Sequence, residues 1–528
     1  MCGFLVYAGK PDGLEVKLQD SFKKIAHRGP DRSCEWRNAG SWWGFHRLAI
    51  MDTSTKGDQP FLDLKTKSAV VCNGEIYNFE ELSKHVDHEF VSGSDCEVLL
   101  PVFKKYGIQK LCTMLDGEFA FVLFDGVSKS FYAVRDPLGI RPLFWGKTED
   151  STLVFASEMK ALHTLCKDIQ AVPPGHWFDG KEFHSYLDLT EVKAITSGDR
   201  KKVAVGIQSY LIKAVEKRLH ADVPLGFLLS GGLDSSLVVA IAAKKLKKKL
   251  KTFSIGMAGD AIDLKYARIV ADYLNTEHYE VIMKADDVIK ILPEVIKKLE
   301  TWDITTIRAS IGMYLVCKYV RENTEVRVLL TGEVSDELFG YKYTDFAPDA
   351  QSFQEEAAKR IRELYFYDVL RADRCIAAHG LEARVPFSDT DFVQYVMSID
   401  PQLKMNTNGV GKFLLRFAFQ DTNILPDSIL MREKAAFSDA VGHSMVDILR
   451  EYADRKYSEE EFKSKTAKMK HVVPISKEGL LYREIFSSFY PGREGLIPAY
   501  WMPNPKWVGN KVVDPSARYL SNYGKSGT

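Results

Sequence analysis

Cys2 follows the initiator methionine and precedes the small Gly3, so loss of Met1 would place a thiol and a free α-amine on one residue. An α-amine titrates at about 7.7 to 8.0, near enough to neutrality to take up the thiol proton, so nucleophile and base would coincide. Downstream stand HRGPD (His27 to Asp31), RLAIMD from Arg47, NGEIYN from Asn73 and GSDCE with Asp95. Arg47 and Asp95 offer a cation and an anion for the two ends of an amino acid. Asn73 and the Gly74 N–H offer two donors to a developing oxyanion. Structural roles compete with these: Asn-Gly is a common hairpin turn, and Asp95 could cap a following helix.

The run GFLLSGGLDSSLVVAIAA carries a different chemistry: a strand, a loop at Ser230 to Ser236, then a helix. Glycines let main chain approach phosphate oxygens, serine hydroxyls donate to them, and a helix start adds unpaired N–H groups. The loop is not a Walker A loop, because the one Gly-Lys-Ser, at Gly524, has Tyr519 where the first glycine belongs. Asp234 in this loop and Asp336 in TGEVSDE (Thr331 to Glu337) are oxygen donors of the kind Mg2+ prefers. Glu333 beside Asp336 and Glu337 also fits an acidic helix start, and Lys434 fits a solvated lysine on a polar segment.

Two kinds of scaffold must hold these residues. Up to about Tyr186 the chain is a series of short β-rich runs. In Glu118 to Phe124, Phe119, Phe121 and Leu123 would face one way and Ala120, Val122 and Phe124 the other, as in a strand covered on both sides. The polar stretch Leu187 to Lys202 breaks the pattern, and beyond it GFLLS, TFSIG, HYEVI and VRVLLTG alternate with helix-length segments, the signature of a parallel α/β sheet. The spacing predicts domains at 2–190 and 191–528, with a weakly ordered tail from about 501. The six lysines of KKLKKKLK (Lys244 to Lys251) close a helix, where the dipole favours them, and need no nucleic-acid partner.

Composition narrows the classes. A chain of 528 residues with 45% hydrophobic and 27% charged side chains is neither a single small module nor a disordered one. Lys+Arg and Asp+Glu are 71 each, so no net field steers it onto nucleic acid or an anionic membrane, and a small substrate fits better. No apolar run of spanning length and no signal-peptide order is present, which predicts a cytoplasmic protein. The eight cysteines contain no CxxC pair and predict neither a zinc site nor a disulfide framework.

The first 190 residues resemble the glutaminase domain of class II glutamine amidotransferases, an N-terminal-nucleophile αββα sandwich, through the motifs at Cys2, His27, Arg47, Asn73 and Asp95. SGGLDSS resembles the pyrophosphate loop of ATP pyrophosphatases, which implies a doubly wound parallel sheet with added helices. The two in this order are the layout of the glutamine-dependent asparagine synthetase family, and ETWDITTIRAS, TGEVSDELFG, HGLEARVPFSD and REKAAFSDAVG look like that family's segments. The resemblance implies glutamine held by Arg47, Asn73, Glu75 and Asp95, a glutamyl thioester on Cys2, and Arg28 positioning the reacting groups. It implies ATP held by Leu229, Ser230, Gly231, Gly232, Asp234, Ser235, Ile255, Thr331 and Gly332, with Mg2+ on Asp234 and Asp336. Thr305, Thr306 and Arg308 would border the aspartate site, Glu333 would act as base for ammonia attack, and Lys434 would stabilise phosphate charge. The substrates would then be glutamine, aspartate and ATP, and the resemblance implies a homodimer. Ammonia made at one site and used at another calls for a protected passage, for which Phe119, Phe121 and the surroundings of Val385 are candidates.

The chain departs from the family's pattern at several points. Val334 replaces a glycine, which strains the main chain if that position needs a positive φ. Phe339-Gly340-Tyr341 is one glycine short, Ala261-Ile262-Asp263 replaces Ser-Pro-Asp, and Ile311-Gly312 replaces Thr-Pro. These lie in the second half and leave two other readings open: a different acceptor carboxylate, or a catalytically silent homologue that binds nucleotide or amino acid.

Overall fold

The computed structural model describes the whole chain except residues 39, 193, 197, 260, 434–442, 508–513, 517–519 and 523–528. It separates into two compact units: Met1–Leu189 with His220–Pro224 and Ala377–Ala383, and Thr190–Leu219 with Leu225–Ile376 and Arg384–Thr528. Two short pieces from beyond residue 190 thus group with the first unit.

The first unit is an antiparallel sandwich. Its strands are β1 (Gly3–Tyr7), β2 (Arg32–Asn38), β3 (Ser41–Arg47), β4 (Phe61–Asp63), β5 (Ser68–Ile76), β6 (Gly117–Asp125), β7 (Ser130–Arg135), β8 (Phe144–Lys147), β9 (Leu153–Ala156), β10 (Asp168–Ala171), β11 (His176–Phe178) and β12 (Phe183–Ser185). They form two six-stranded sheets, ordered β10-β8-β9-β1-β3-β2 and β12-β11-β7-β6-β5-β4. Side chains alternate across a strand, so each central strand feeds two cores. In β6, Phe119, Phe121 and Leu123 pack beneath the helix Leu99–Met114 with Leu99 and Leu111, whereas Ala120 and Val122 meet Phe4, Val6 and Phe45 of the other sheet. The alternation expected for this strand is therefore present. Outside the first sheet, Phe22 of helix Glu15–Lys23 packs edge-on to Trp42 and flat on His46 of β3. The layers run helix, sheet, sheet, helix.

The second unit is built on β13 (Leu225–Leu228), β14 (Lys251–Met257), β15 (Glu277–Met283) and β16 (Val328–Leu330), ordered β15-β14-β13-β16. β13 pairs in parallel with β14 and with β16, and β14 in parallel with β15. Parallel pairing needs a crossover between strands, and the helices Leu233–Leu246 and Ile262–Tyr273 supply it. The chain lays β13, β14 and β15 in one direction and then returns to place β16 on the far side of β13. The loops after β13 and β16 therefore leave the same edge side by side at a switch in strand order, where α/β sheets form their crevice. Five of the six lysines after Ala243, Lys244, Lys245, Lys247, Lys248 and Lys249, are exposed at or just past the helix end, as expected, whereas Lys251 is half-buried and opens β14.

The described part of the tail is tied down. Trp501 N donates to Asp303, Asp514 pairs with Arg308, and Asn522 exchanges hydrogen bonds with Lys342. No helix among the described residues is long and apolar enough to cross a membrane.

Candidate active sites

In the first unit Cys2 stands just before β1, half-buried against the core between the two sheets. Leu48 N donates to its Sγ at 3.4 Å and the thiol lies 3.6 Å from Leu48 O, which places the sulfur beside the end of β3 and Arg47. Arg28 Nε donates to the Cys2 carbonyl at 2.9 Å, and its Nη1 reaches Glu158 at 2.7 Å. Arg28 thus grips the main chain next to the thiol. With Met1 attached, burial pushes the Cys2 thiol up to about 11, and the buried Met1 amine lies 3.7 Å from Glu382.

Asn73 and Gly74 lie within β5, not in a turn. Gly74 has φ 152, and a Cβ there would stand 2.1 Å from Glu118 O on β6, so only glycine fits. Asn73 shares a strand face with Ala69 and Val71, which pack in the core that Cys2 also touches. Asn73 is buried, and neither its Oδ1 nor its Nδ2 has a hydrogen-bond partner. A buried amide left unpaired costs about 1–3 kcal/mol, so a site waiting for a polar ligand accounts for it best. Asp95 accepts from Ile76 N at 2.6 Å and so abuts the same run of β5 as Asn73 and the buried Glu75; it does not cap a helix. Arg47 is buried with its guanidinium on the 51–58 loop, donating to Met51 O, Asp52 O, Ser54 O and Asp58. Phe119 and Phe121 are fully buried core residues of this unit, and Val385 is fully buried in the other.

The second unit holds a cavity of about 240 Å³ at the strand-order switch. Leu229, Ser230, Gly232, Asp234, Ser235, Ile255, Thr331, Gly332, Glu333 and Asp336 all line it. Gly231 does not: it has φ +71, and a Cβ there would meet Ala267 N at 2.3 Å, so it sets the turn and lets the helix pack against it. Ser230 and Ser235 hydroxyls lie 3.1 Å apart, and Ser230 Oγ accepts from Gly232 N. The buried Thr305 Oγ1, Thr331 Oγ1 and Glu333 Oε2 have no partner, which suits a cavity that receives a polar ligand.

Asp234 and Asp336 come from different loops yet converge on one point, the Lys412 ammonium, so their carboxylates suit a hard divalent cation. Val334 has φ 80 and ψ −20 and is buried on the cavity wall, so the strain expected of it is present. Beyond it Glu337 is half-buried, and desolvation with Asp368 and Asp336 nearby pushes its carboxyl well above the usual range.

The residues expected around an acceptor acid are only partly assembled. Along helix Ile304–Asn323, Thr305, Ala309, Met313 and Val316 face the cavity. Thr306 instead closes the helix start, its N–H and hydroxyl donating to Asp303. Arg308 makes a two-point pair with Glu478 and further bonds to Asp514, away from the cavity lining. Lys434 lies outside the described residues. Unforeseen participants are Arg371, paired with Asp368 at 3.1 Å and 3.5 Å from Glu333, and Arg432. Arg432 bonds Asp263 at 2.7 Å and reaches Ser230 O, and it stands in the REK run already singled out.

A glutamine amidotransferase domain model matches residues 1–194, and an asparagine synthase model matches residues 206–352 and 345–506. "Asparagine synthetase [glutamine-hydrolyzing]" of Homo sapiens is 42% identical over 563 residues, covering 99% of this chain and 99% of the relative. The Gallus gallus protein of that name gives the same identity and coverage. Among solved structures, a glutamine phosphoribosylpyrophosphate amidotransferase from B. subtilis aligns with TM-score 0.30 and 15% identity, covering 53% of this chain and 81% of that one. The two matched models define a glutamine amidotransferase joined to a synthetase. The chain belongs to the glutamine-hydrolysing asparagine synthetase family.

Proposed function

We propose that the protein makes asparagine from aspartate, taking nitrogen from glutamine and activating the acid with ATP. After Met1 is removed, the Cys2 amine takes the thiol proton and the sulfur attacks the glutamine amide carbon. Asn73 and the Gly74 N–H stabilise the oxyanion, and its collapse expels ammonia and leaves a glutamyl thioester that water hydrolyses to glutamate. Arg47, Glu75 and Asp95 hold the amino-acid end of glutamine. In the second unit the Ser230–Ser236 loop holds the pyrophosphate end of ATP, while Leu229, Ile255, Thr331 and Gly332 hold the rest of the nucleotide. The aspartate side-chain carboxylate attacks the α-phosphorus and pyrophosphate leaves, giving a β-aspartyl-AMP whose carbonyl is a far better electrophile than the carboxylate. Ammonia attacks it, Glu333 takes the excess proton, and AMP departs. Lys434 offsets phosphate charge. Asp234 and Asp336 would hold Mg2+, which when bound neutralises charge on the phosphates. The working form is a cytoplasmic homodimer.

The carrying observation is the cavity after β13 and β16, where the two motif loops and the unpaired Thr305, Thr331 and Glu333 atoms meet. The test is an assay of glutamine with ATP, Mg2+ and aspartate. Asparagine, glutamate, AMP and pyrophosphate should appear in equal amounts, and ADP in place of AMP would refute the adenylate route. A different acceptor carboxylate is the second reading, favoured by Val334 on the wall and by the engagement of Arg308 with Glu478 and Asp514. It predicts AMP formation with another acid and none with aspartate. A silent homologue predicts no AMP with any acid.

A further inference from the structure

Lys412 belongs to none of the motifs, yet it is buried and its ammonium lies at the meeting point of the two loops. Nζ is 2.9 Å from each oxygen of Asp234, 2.9 Å from Ser335 Oγ and 2.5 Å from Asp336 Oδ1. An ammonium has three protons, and the hydrogen bonds to the two Asp234 oxygens and to Ser335 use all three, with Asp336 adding a close ion pair. Its backbone is left-handed, φ 56 and ψ 34, at the head of helix Phe413–Phe419, a conformation that residues with a Cβ rarely adopt. The fold tolerates that strain to bring this side chain to this point.

We propose that Lys412 is a tethered counter-ion of the adenylation site: it holds Asp234 and Asp336 together in the free enzyme, excludes a lone divalent cation, and passes to the phosphates when metal and nucleotide arrive together. The inference rests on reading Asp234 and Asp336 as the metal ligands. One ammonium against two carboxylates leaves a net charge of about −1, enough to keep the pair together without neutralising it. A divalent ion neutralises the pair, but it must take from the ammonium oxygens that are already bonded. Tethering makes the ammonium an effective competitor at a high local concentration. A metal arriving alone would leave a buried lysine without its partners, which is strongly unfavourable. A metal arriving with a polyphosphate gives that lysine a new anion, and the four-carbon stem lets Nζ move without the backbone. Lys412 is a positioning residue under this scheme, and metal and nucleotide affinities are coupled through it.

A purely structural clamp predicts the opposite sign for one measurement, so the two can be separated. If Lys412 only fastened the loops, its loss would loosen the carboxylates and weaken metal binding. As a competing counter-ion, its loss tightens it. The experiment titrates the full-length protein, free of nucleotide, with Mn2+ followed by electron paramagnetic resonance. Lys412→Met should bind Mn2+ about tenfold more tightly than the native protein, and Lys412→Arg, which keeps the charge, should stay weak. Equal or weaker Mn2+ binding by a folded Lys412→Met overturns the inference. The native protein provides a test that needs no variant: pyrophosphate should tighten Mn2+ about tenfold or more, and independent binding of the two also overturns it. If the native protein and a folded Lys412→Met both fail to bind Mn2+ even with pyrophosphate, the metal assignment itself is wrong.

Discussion

Val334 puts a β-branched residue where main-chain geometry asks for glycine, and the strain can be measured by comparing two substitutions. Its φ of 80 lies in the left-handed region, and its side chain is only 2% exposed. Val334→Ala removes two buried methyl groups at about 0.8 kcal/mol each and leaves the φ unchanged. The further step from alanine to glycine costs about 0.5–1 kcal/mol at an ordinary position through backbone entropy. Here it also releases about 1–2 kcal/mol of left-handed strain. The expected order is therefore inverted, with Val334→Gly more stable than Val334→Ala by up to about 1.5 kcal/mol. Calorimetric unfolding of the two variants, reading the transition of the second unit, checks it. An alanine variant more stable than the glycine one by the ordinary margin would show that the position is not left-handed and would remove the strain argument.

Cys2→Ala should abolish synthesis fed by glutamine and leave synthesis fed by ammonium salts at native rates, since the second site does not use the thiol; loss of both would contradict the division of labour. Asn73→Ala should lower glutamine hydrolysis about 10²- to 10³-fold with little change in melting temperature, because the amide it removes has no partner to lose. A stability loss without a rate loss would assign Asn73 to the framework. His278 of β15 bonds the hydroxyls of Thr252 and Ser254, and burial, aided by Arg268, lowers its imidazole to about 4 from 6.5. Because the folded state disfavours the imidazolium, its contribution is intact above pH 6.5 and is lost as pH falls toward 4. Urea unfolding at several pH values should give a shallower decline for His278→Gln than for the native chain in that window, and parallel declines would refute the assignment.

How far the sequence could be read depended on how local each cause was. The two-faced pattern of β6 was legible because alternation is a property of neighbouring residues, and the sheets obey it. The demands at Gly74 and Val334 were partly legible, since they concern φ, but the reason for Gly74 is Glu118 O on the adjacent strand, 44 residues away in the chain. SGGLDSS and TGEVSDE could each be recognised alone. Their meeting in one cavity follows from β16 returning to the far side of β13, a fact of strand order that neither segment contains. Thr305 and Arg308 are close in sequence and diverge in space, because helix phase turns Thr305 inward with Ala309 while Glu478 and Asp514 capture Arg308. Lys412 was invisible for the same reason in reverse: nothing in NGVGKF marks it, and its significance comes from two carboxylates far back in the chain that need a cation between them. Residues whose role is set by their own backbone can be found from sequence, whereas residues whose role is set by a distant charge wait for the fold.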